Sequence, residues 1–329
     1  MILFSDTHFD ELKPFSTILP GGINSRLADQ VNVIHKLIEA VKETETKNIV
    51  FLGDLFNSFS PSISKNVYNV VAYLIRQLAD VAELYLICGN HDRYGNTHVL
   101  TPYQYYDRVH IVANPVHLYL EGMDIDMVPW GFPVPEKKSE SLMAHMDIIG
   151  AIVNTYGVTS MEKPEGVYPR DLVGYKHIYL GHFHDRQSLP VKGAQDAQYI
   201  GSIIQVTRGN RTEPRGYAIL TDGRLSFRDL TGPNIYTVDV KTQANMDKLV
   251  GSILHSRDYW HLTVYDPGIK VPSFDHRVEI EYDVAPETTV RLEEKPGEDL
   301  VETTERFIDT VNTMIDKEEA KKFLREVMK

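Results

Sequence analysis

Six residues of this chain have the types and spacing of metal ligands. Asp6 and His8 stand two apart in Ser5-Asp6-Thr7-His8, and His182 and His184 repeat that spacing in Gly181-His182-Phe183-His184. On an extended segment the side chains of i and i+2 point the same way, so each pair can reach one cation. Asp54 follows Gly53, and Asn90 opens Asn90-His91-Asp92 directly after Gly89. The set combines carboxylates, an amide oxygen and imidazoles, without a thiolate. Such donors suit Mn2+ or Fe2+, with Mg2+ as a further candidate, and disfavour a structural zinc site. A carboxylate with two oxygens can bridge cations about 3.5–4 Å apart. Asn90 is neutral, so a cation pair held here would keep net positive charge for an anionic substrate.

Each of these residues follows a short apolar run that reads as a buried strand: residues 2–5, 48–52, 84–88 and 176–180. Loops at the carboxyl ends of strands are where α/β proteins place their chemistry. Between the first three runs lie helical patterns. Leu27, Val31, Ile34, Ile38 and Val41 recur at helical spacing behind Asn24 or Ser25 as N-cap, and residues 67–78 form a second helix. The β-α-β-α-β rhythm predicts an α/β core. Beyond Val109 the runs are mostly strands, at 109–112, 116–120, 124–128, 142–144, 176–180, 198–201 and 216–220. The predicted architecture is therefore α/β, a layered β-sandwich flanked by helices over residues 1–233.

The pattern changes near Pro233. Strands at 236–240, 259–265 and 277–282, with a helix at 244–254, predict a small α+β unit over residues 234–284. Residues 285–299 are rich in Pro, Glu and Thr and read as a linker. Residues 300–329 carry two apolar helical stripes. The first is Phe307, Ile308, Val311, Met314 and Ile315; the second is Ala320, Phe323, Leu324, Val327 and Met328.

The single cysteine, Cys88, lies in an apolar run and reads as a small buried hydrophobe. The N-terminus lacks the basic-then-apolar pattern of a signal peptide. No run approaches the roughly 20 apolar residues of a membrane span. The expected location is the cytoplasm. A net charge of −12 opposes strong non-specific attraction to nucleic acid. A DNA-processing role then requires bound cations, a local basic surface or a partner that holds the DNA. Arg93, Lys137, Lys138, Arg186, Lys192, Arg208, Arg211 and Arg215 are the candidates for such a surface.

Taken in order, D-x-H, G-D, G-N-H-D, a single His and G-H-x-H resemble the calcineurin-like metallophosphoesterases. The resemblance implies two metal ions, with Asp54 bridging them. Asp6, His8 and His184 would complete the first position, and Asn90, His145 and His182 the second. His145 rests on this pattern. A lone His in Leu142-Met143-Ala144-His145-Met146 is by itself more often a packed core residue, but the family places one His after a strand between the G-N-H-D and G-H-x-H motifs. His110, His117 and His177 lie within predicted strands and fit that place less well. The resemblance also makes His91 the proton donor or transition-state stabiliser. A cationic imidazole can neutralise phosphoryl charge and protonate a leaving oxygen. Asp92 would orient it.

Further motifs narrow the resemblance to SbcD-type DNA double-strand-break repair nucleases. They are Gly53-Asp54-Leu55-Phe56-Asn57, Val128-Pro129-Trp130-Gly131, and Tyr199-Ile200-Gly201-Ser202 followed by Arg215-Gly216-Tyr217. The compact length and the Gly-His-Phe-His spelling resemble phage recombination nuclease subunits. The likeness covers nearly the whole chain. It implies Mn2+-dependent exonuclease or endonuclease action on DNA, with residues 234–284 as a capping domain. Residues 300–329 would be a helical arm that docks on an SbcC-type coiled-coil ATPase, in a homodimer, in the host cytoplasm if the chain is phage-encoded. Asn57 departs from the pattern, because many such enzymes carry His there. Two other functions share parts of this signature: a nucleotide or protein phosphoesterase on the same core, and a non-catalytic scaffold for the ATPase.

Overall fold

The computed structural model describes residues 1–44, 46–57, 62–95, 97–164, 166–283, 299–310 and 316–327. Residues 285–298 of the expected linker, and Val311, Met314, Ile315 and Met328 of the expected stripes, lie outside the described residues.

The chain opens with β1 (Ile2–Phe4), α1 (Ser25–Thr44), β2 (Asn48–Phe51), α2 (Lys65–Val81) and β3 (Glu83–Ile87). A short hairpin follows, β4 (Arg93–Tyr94) and β5 (Thr97–His98), and then β6 (Val109–Val112), β7 (Val116–Leu120), β8 (Met123–Val128) and β9 (Ser141–His145). After a long irregular stretch come β10 (His177–Gly181), β11 (Gln187–Ser188), β12 (Asp196–Tyr199), β13 (Arg215–Thr221) and β14 (Arg224–Leu230). These strands make two six-stranded sheets, ordered β14-β13-β1-β2-β3-β6 and β11-β12-β10-β9-β8-β7. In the first, β1, β2, β3 and β6 run parallel; in the second, β8, β9, β10 and β12 do. The carboxyl ends of the parallel strands in each sheet therefore share one edge.

Strand alternation explains the continuous apolar runs. Ile2, Phe4, Ile49, Phe51, Leu84 and Leu86 face the helices, while Leu3, Val50, Leu52 and Ile87 face the second sheet. On that sheet Met127, Met143 and Tyr179 point inward, and Leu142, Ala144, Ile178 and Leu180 point outward. Both faces are buried, so the central strands are mostly apolar. Helices α1 and α2 cover the outer face of the first sheet. The outer face of the second is covered by the irregular stretch through Ile148, Leu172 and Tyr175. β14 is absent from the sequence expectation, because its Arg224, Arg228 and Asp229 give an edge strand a polar, half-exposed character. Cys88 is buried, and burial pushes its thiol up.

Beyond Pro233 lie β15 (Ile235–Val240), α3 (Gln243–His255), β16 (Tyr259–Val264) and β17 (Val278–Tyr282), a three-stranded parallel sheet with one helix. It has its own core of Val240, Met246, Ile253, Trp260, Leu262 and Val264. Tyr259 ties it to the main body, stacked on Phe15 at 5.6 Å with the Arg26 guanidinium 4.6 Å from its ring centre. Two terminal helices, α4 (Leu300–Thr310) and α5 (Lys317–Val327), pair with each other through Lys321–Asp309 at 2.6 Å and through Arg325–Glu305. Among the described residues no helix is long and apolar enough to cross a membrane.

Of the two expected caps for α1, Asn24 does the work. Its Oδ1 accepts from Arg26 N at 2.9 Å and Leu27 N at 3.2 Å, satisfying two orphan donors of the first turn. Replacing it (Asn24→Ala) should shift the urea unfolding midpoint by the equivalent of about 1 kcal/mol, with the slope against urea unchanged. An unmoved midpoint would assign the cap to another group.

Candidate metal centre

Both sheets bring their parallel-strand ends to one place. β1 delivers Asp6 and His8, β2 delivers Asp54, and β3 delivers Asn90, His91 and Asp92. From the second sheet, β9 ends on His145 and β10 leads into His182 and His184. The structure thus assembles all nine residues singled out in the sequence. Three groups have ligand atoms mutually within 4.8 Å: Asp6, His8 and His184; His8, Asp54 and His91; and Asp54, His145 and His182. Asp54 belongs to two of them.

Local backbone is bent to make this possible. Asp6, His8, Asp54 and His182 all have positive φ, at 52°, 44°, 62° and 112°. Such conformations cost on the order of 1–3 kcal/mol each in non-glycine residues and persist where neighbours over-determine them. Here Asp6 N donates to Gly53 O at 3.0 Å, His8 N to Asp54 O at 3.1 Å, and His182 N to the Asp6 carboxylate at 3.2 Å. The loops also approach too closely for side chains. A Cβ on Gly89 would lie 2.1 Å from Asp54 Oδ1, and one on Gly53 would lie 2.3 Å from His145 Nδ1.

The outward nitrogens of the imidazoles show which way the rings present their lone pairs. His145 Nδ1 faces the Leu52 carbonyl at 2.7 Å, which puts a proton on that nitrogen. Its Nε2 then faces Asn90 Oδ1 at 3.0 Å and Asp54 Oδ2 at 3.4 Å. His182 Nδ1 is also 3.0 Å from Asn90 Oδ1, and His184 Nδ1 faces Asn210 Oδ1 at 3.4 Å. His184 Nε2 and His8 Nε2 meet at 3.0 Å, with Asp54 Oδ2 3.6 Å and Asp6 Oδ1 3.8 Å from His8 Nε2. Where the proton sits on the outward nitrogen, the inward lone pairs converge, an arrangement that a shared cation would satisfy. The donor set, two carboxylates, one amide oxygen and four imidazoles, fits two divalent cations.

Protons can play that part too. Burial disfavours a charged His145, but the Asp54 carboxylate outweighs it and the ring is pushed up to about 9. Burial alone would raise Asp54; the His145 imidazole holds it well below the usual carboxylate range. Burial, joined by the neighbouring His8, pushes His184 down to about 4. A cation taken up here would displace the protons that these nitrogens carry.

Asp92, expected to orient His91, has both oxygens engaged by backbone N–H groups, from Asp54 and Gly89 at 2.9 Å to Oδ2 and from Leu55 at 2.9 Å to Oδ1. Asp92 folds the two loops, and burial together with Asp54 raises it to about 6. His91 is held instead by the Asn57 carbonyl, 2.7 Å from its Nδ1, and its own N–H donates to Asp54 Oδ1 at 2.9 Å. The Asn57 side chain donates to Asp10 at 2.8 Å.

Other residues at the centre carry no sequence signal of their own. Asn210 faces His184, and Asp147 Oδ2 lies 3.4 Å from His182 Nε2. Trp130, singled out in the Val128–Gly131 motif, lies 4.8 Å ring to ring against His182. It opens onto a cleft of about 670 Å3 that reaches His145 and is walled by Phe132, Pro164, Val167 and Arg170. The candidate basic surface is only partly open. Arg215 is buried against Asp185 at 2.7 Å, and Arg186 lies over the Phe227 ring at 3.7 Å. Tyr103 packs in the main core, while Tyr105 is exposed.

Exonuclease subunit 1 of Enterobacteria phage T4 is 24% identical over 269 residues, covering 69% of this chain and 76% of that protein. A solved protein of unknown function from Aquifex aeolicus aligns over 50% of this chain and 81% of its own at 16% identity, with a TM-score of 0.24 too low to carry an argument. Residues 1–186 match the family described as calcineurin-like phosphoesterase, a stretch that holds every candidate ligand, and the chain belongs to that family.

Proposed function

We propose that this chain is a metal-dependent DNA nuclease subunit acting on phosphodiesters at a two-metal centre. Asp6, His8 and His184 would hold one ion, Asn90, His145 and His182 the other, and Asp54 would serve both. The observation that carries this reading is the convergence of inward-facing nitrogens and oxygens from both sheets on Asp54. When bound, two divalent cations would polarise the phosphate and acidify a water. Mn2+ is the favoured ion on donor type.

The chain's own groups do the rest. Asn90 and the imidazoles contribute no negative charge, so the buried carboxylates Asp6 and Asp54 do not repel an incoming phosphodiester once cations are bound. His91 stands beside Asp54 with Nδ1 committed to the Asn57 carbonyl. At that place an imidazole stabilises phosphoryl charge or protonates the leaving oxygen. Asp92 serves by holding the loops that carry Asp54 and His91.

DNA as substrate is supported by the similarity to a phage exonuclease subunit and by the motifs around Trp130 and Tyr199. The net charge of −12 supports a partner that supplies DNA affinity. We assign that role to an SbcC-type ATPase bound by α4 and α5, whose Leu300, Phe323 and Val327 are exposed. Residues 234–284 form the cap that directs DNA ends, and the working unit is a homodimer in the cytoplasm.

Two measurements test the core of this. Linear double-stranded DNA incubated with the protein and Mn2+ should be degraded, EDTA should stop it, and Asp54→Ala should remove it. Hydrolysis of small phosphoesters without any DNA cleavage, with the ATPase present, would assign the centre to a different phosphoester. Second, His91→Asn should lower kcat on DNA by about 10²–10⁴-fold while Mn2+ uptake stays as in the native chain. Equal loss of metal would make His91 a ligand instead of an acid.

A further inference from the structure

Asp147 has no motif, yet it is 2% exposed and sits behind the candidate ligand His182. Its Oδ2 lies 3.4 Å from His182 Nε2, on the opposite side of the ring from Nδ1, which faces Asn90 Oδ1 at 3.0 Å. Trp130 lies against the same ring at 4.8 Å, tilted by 31°, which limits rotation about the ring's own axis. Two residues of the loop after β9 hold the carboxylate itself: Ser160 Oγ donates to Oδ1, and the Lys163 ammonium pairs with Oδ2. The loop is further closed on the Asp147 backbone, where Val167 N donates to Asp147 O at 2.9 Å. Val167 and its neighbour Pro164 wall the cleft beside Trp130.

A carboxylate opposite one imidazole nitrogen keeps the proton there and turns the other nitrogen's lone pair to the metal; it also makes that lone pair more basic. The Leu52 carbonyl does this for His145, and Asn210 does it for His184. His182 would otherwise be the one imidazole of the second metal position without such a backing.

We propose that Asp147 is a positioning residue for metal binding, fixing His182 as the Nε2–H tautomer with Nδ1 presented to the second metal position. The same carboxylate, through Ser160 and Lys163, joins the cleft wall to that ligand. This inference rests on the two-metal reading above.

Mn2+ titration of the whole protein, followed by the EPR signal of unbound Mn2+, separates the two. The native chain should take up two equivalents. Asp147→Ala should weaken one of them on the order of 10–100-fold and leave the other within about twofold. The double variant Ser160→Ala/Lys163→Ala, which loosens the carboxylate but keeps it, should weaken the same ion by less than Asp147→Ala does. Should Asp147→Ala fail to fold, the native protein still decides. Loaded with Zn2+ as a diamagnetic probe, its imidazole 15N spectrum should show His182 metallated at Nδ1 and protonated at Nε2. Native affinity in Asp147→Ala, an equal loss in the double variant, or metallation at Nε2 overturns the role of Asp147. Uptake of fewer than two equivalents by the native chain overturns the two-metal reading and this inference with it.

Discussion

The Asp92 carboxylate, fully buried, accepts from the backbone N–H groups of Asp54, Leu55 and Gly89. It is the point at which the loops after β2 and β3 are pressed together, closely enough that neither Gly53 nor Gly89 could carry a side chain. Without that clamp, the loop that gives Asp54 its positive φ and aims its carboxylate between His8 and His145 would be left to bonds such as those from His8 N and His91 N. A charged group in this position is not a stability device in its own right. Three N–H donors offset its desolvation, and the return is geometric: a carboxylate with two oxygens fixed between two sets of imidazoles.

Much of this was legible in the sequence because strand geometry is short-ranged. Asp6 with His8 and His182 with His184 share a face by alternation, and the residues after each apolar run had to lie at the strand ends. His145 could have been found the same way. In β9, Met143 faces the second layer and His145, two residues on, follows it inward to the sheet edge. The sheet pairing itself was not legible, since register between β9 and β10 depends on which runs become neighbours. Nor were Asp147 and Asn210, which meet their histidines across loops without regular spacing. The backbone partners of Asp92 were not legible either, because the turn after β3 aims its side chain back at the loops.

Charge tells a related story. Several cations expected on a DNA-facing surface are consumed internally. Arg215 bonds Asp185, Ser202 Oγ and the His184 carbonyl, so it supports the loop that carries a candidate ligand. Sequence alone counts such a residue as surface charge. Because Arg215 is buried together with Asp185, the pair takes one charge of each sign off the surface, and the guanidinium is spent on structure rather than on attracting an anion.

Each sheet has its own strand ladder, and side chains such as Leu3, Val50, Met127, Met143 and Tyr179 fill the layer between them. Yet each proposed metal position takes donors from both: Asp6 and His8 with His184, and Asn90 with His145 and His182. The separation between donors is therefore set by the thickness of the apolar layer between the sheets. In mechanical terms the interior acts as a spacer and the site as a calliper. A methylene gained or lost at Met143 or Tyr179, remote from any chemistry, alters the bite offered to a cation. Close-packed interiors transmit such changes instead of absorbing them, so the methionine and tyrosine layer belongs to the catalytic design as much as the ligands at its rim.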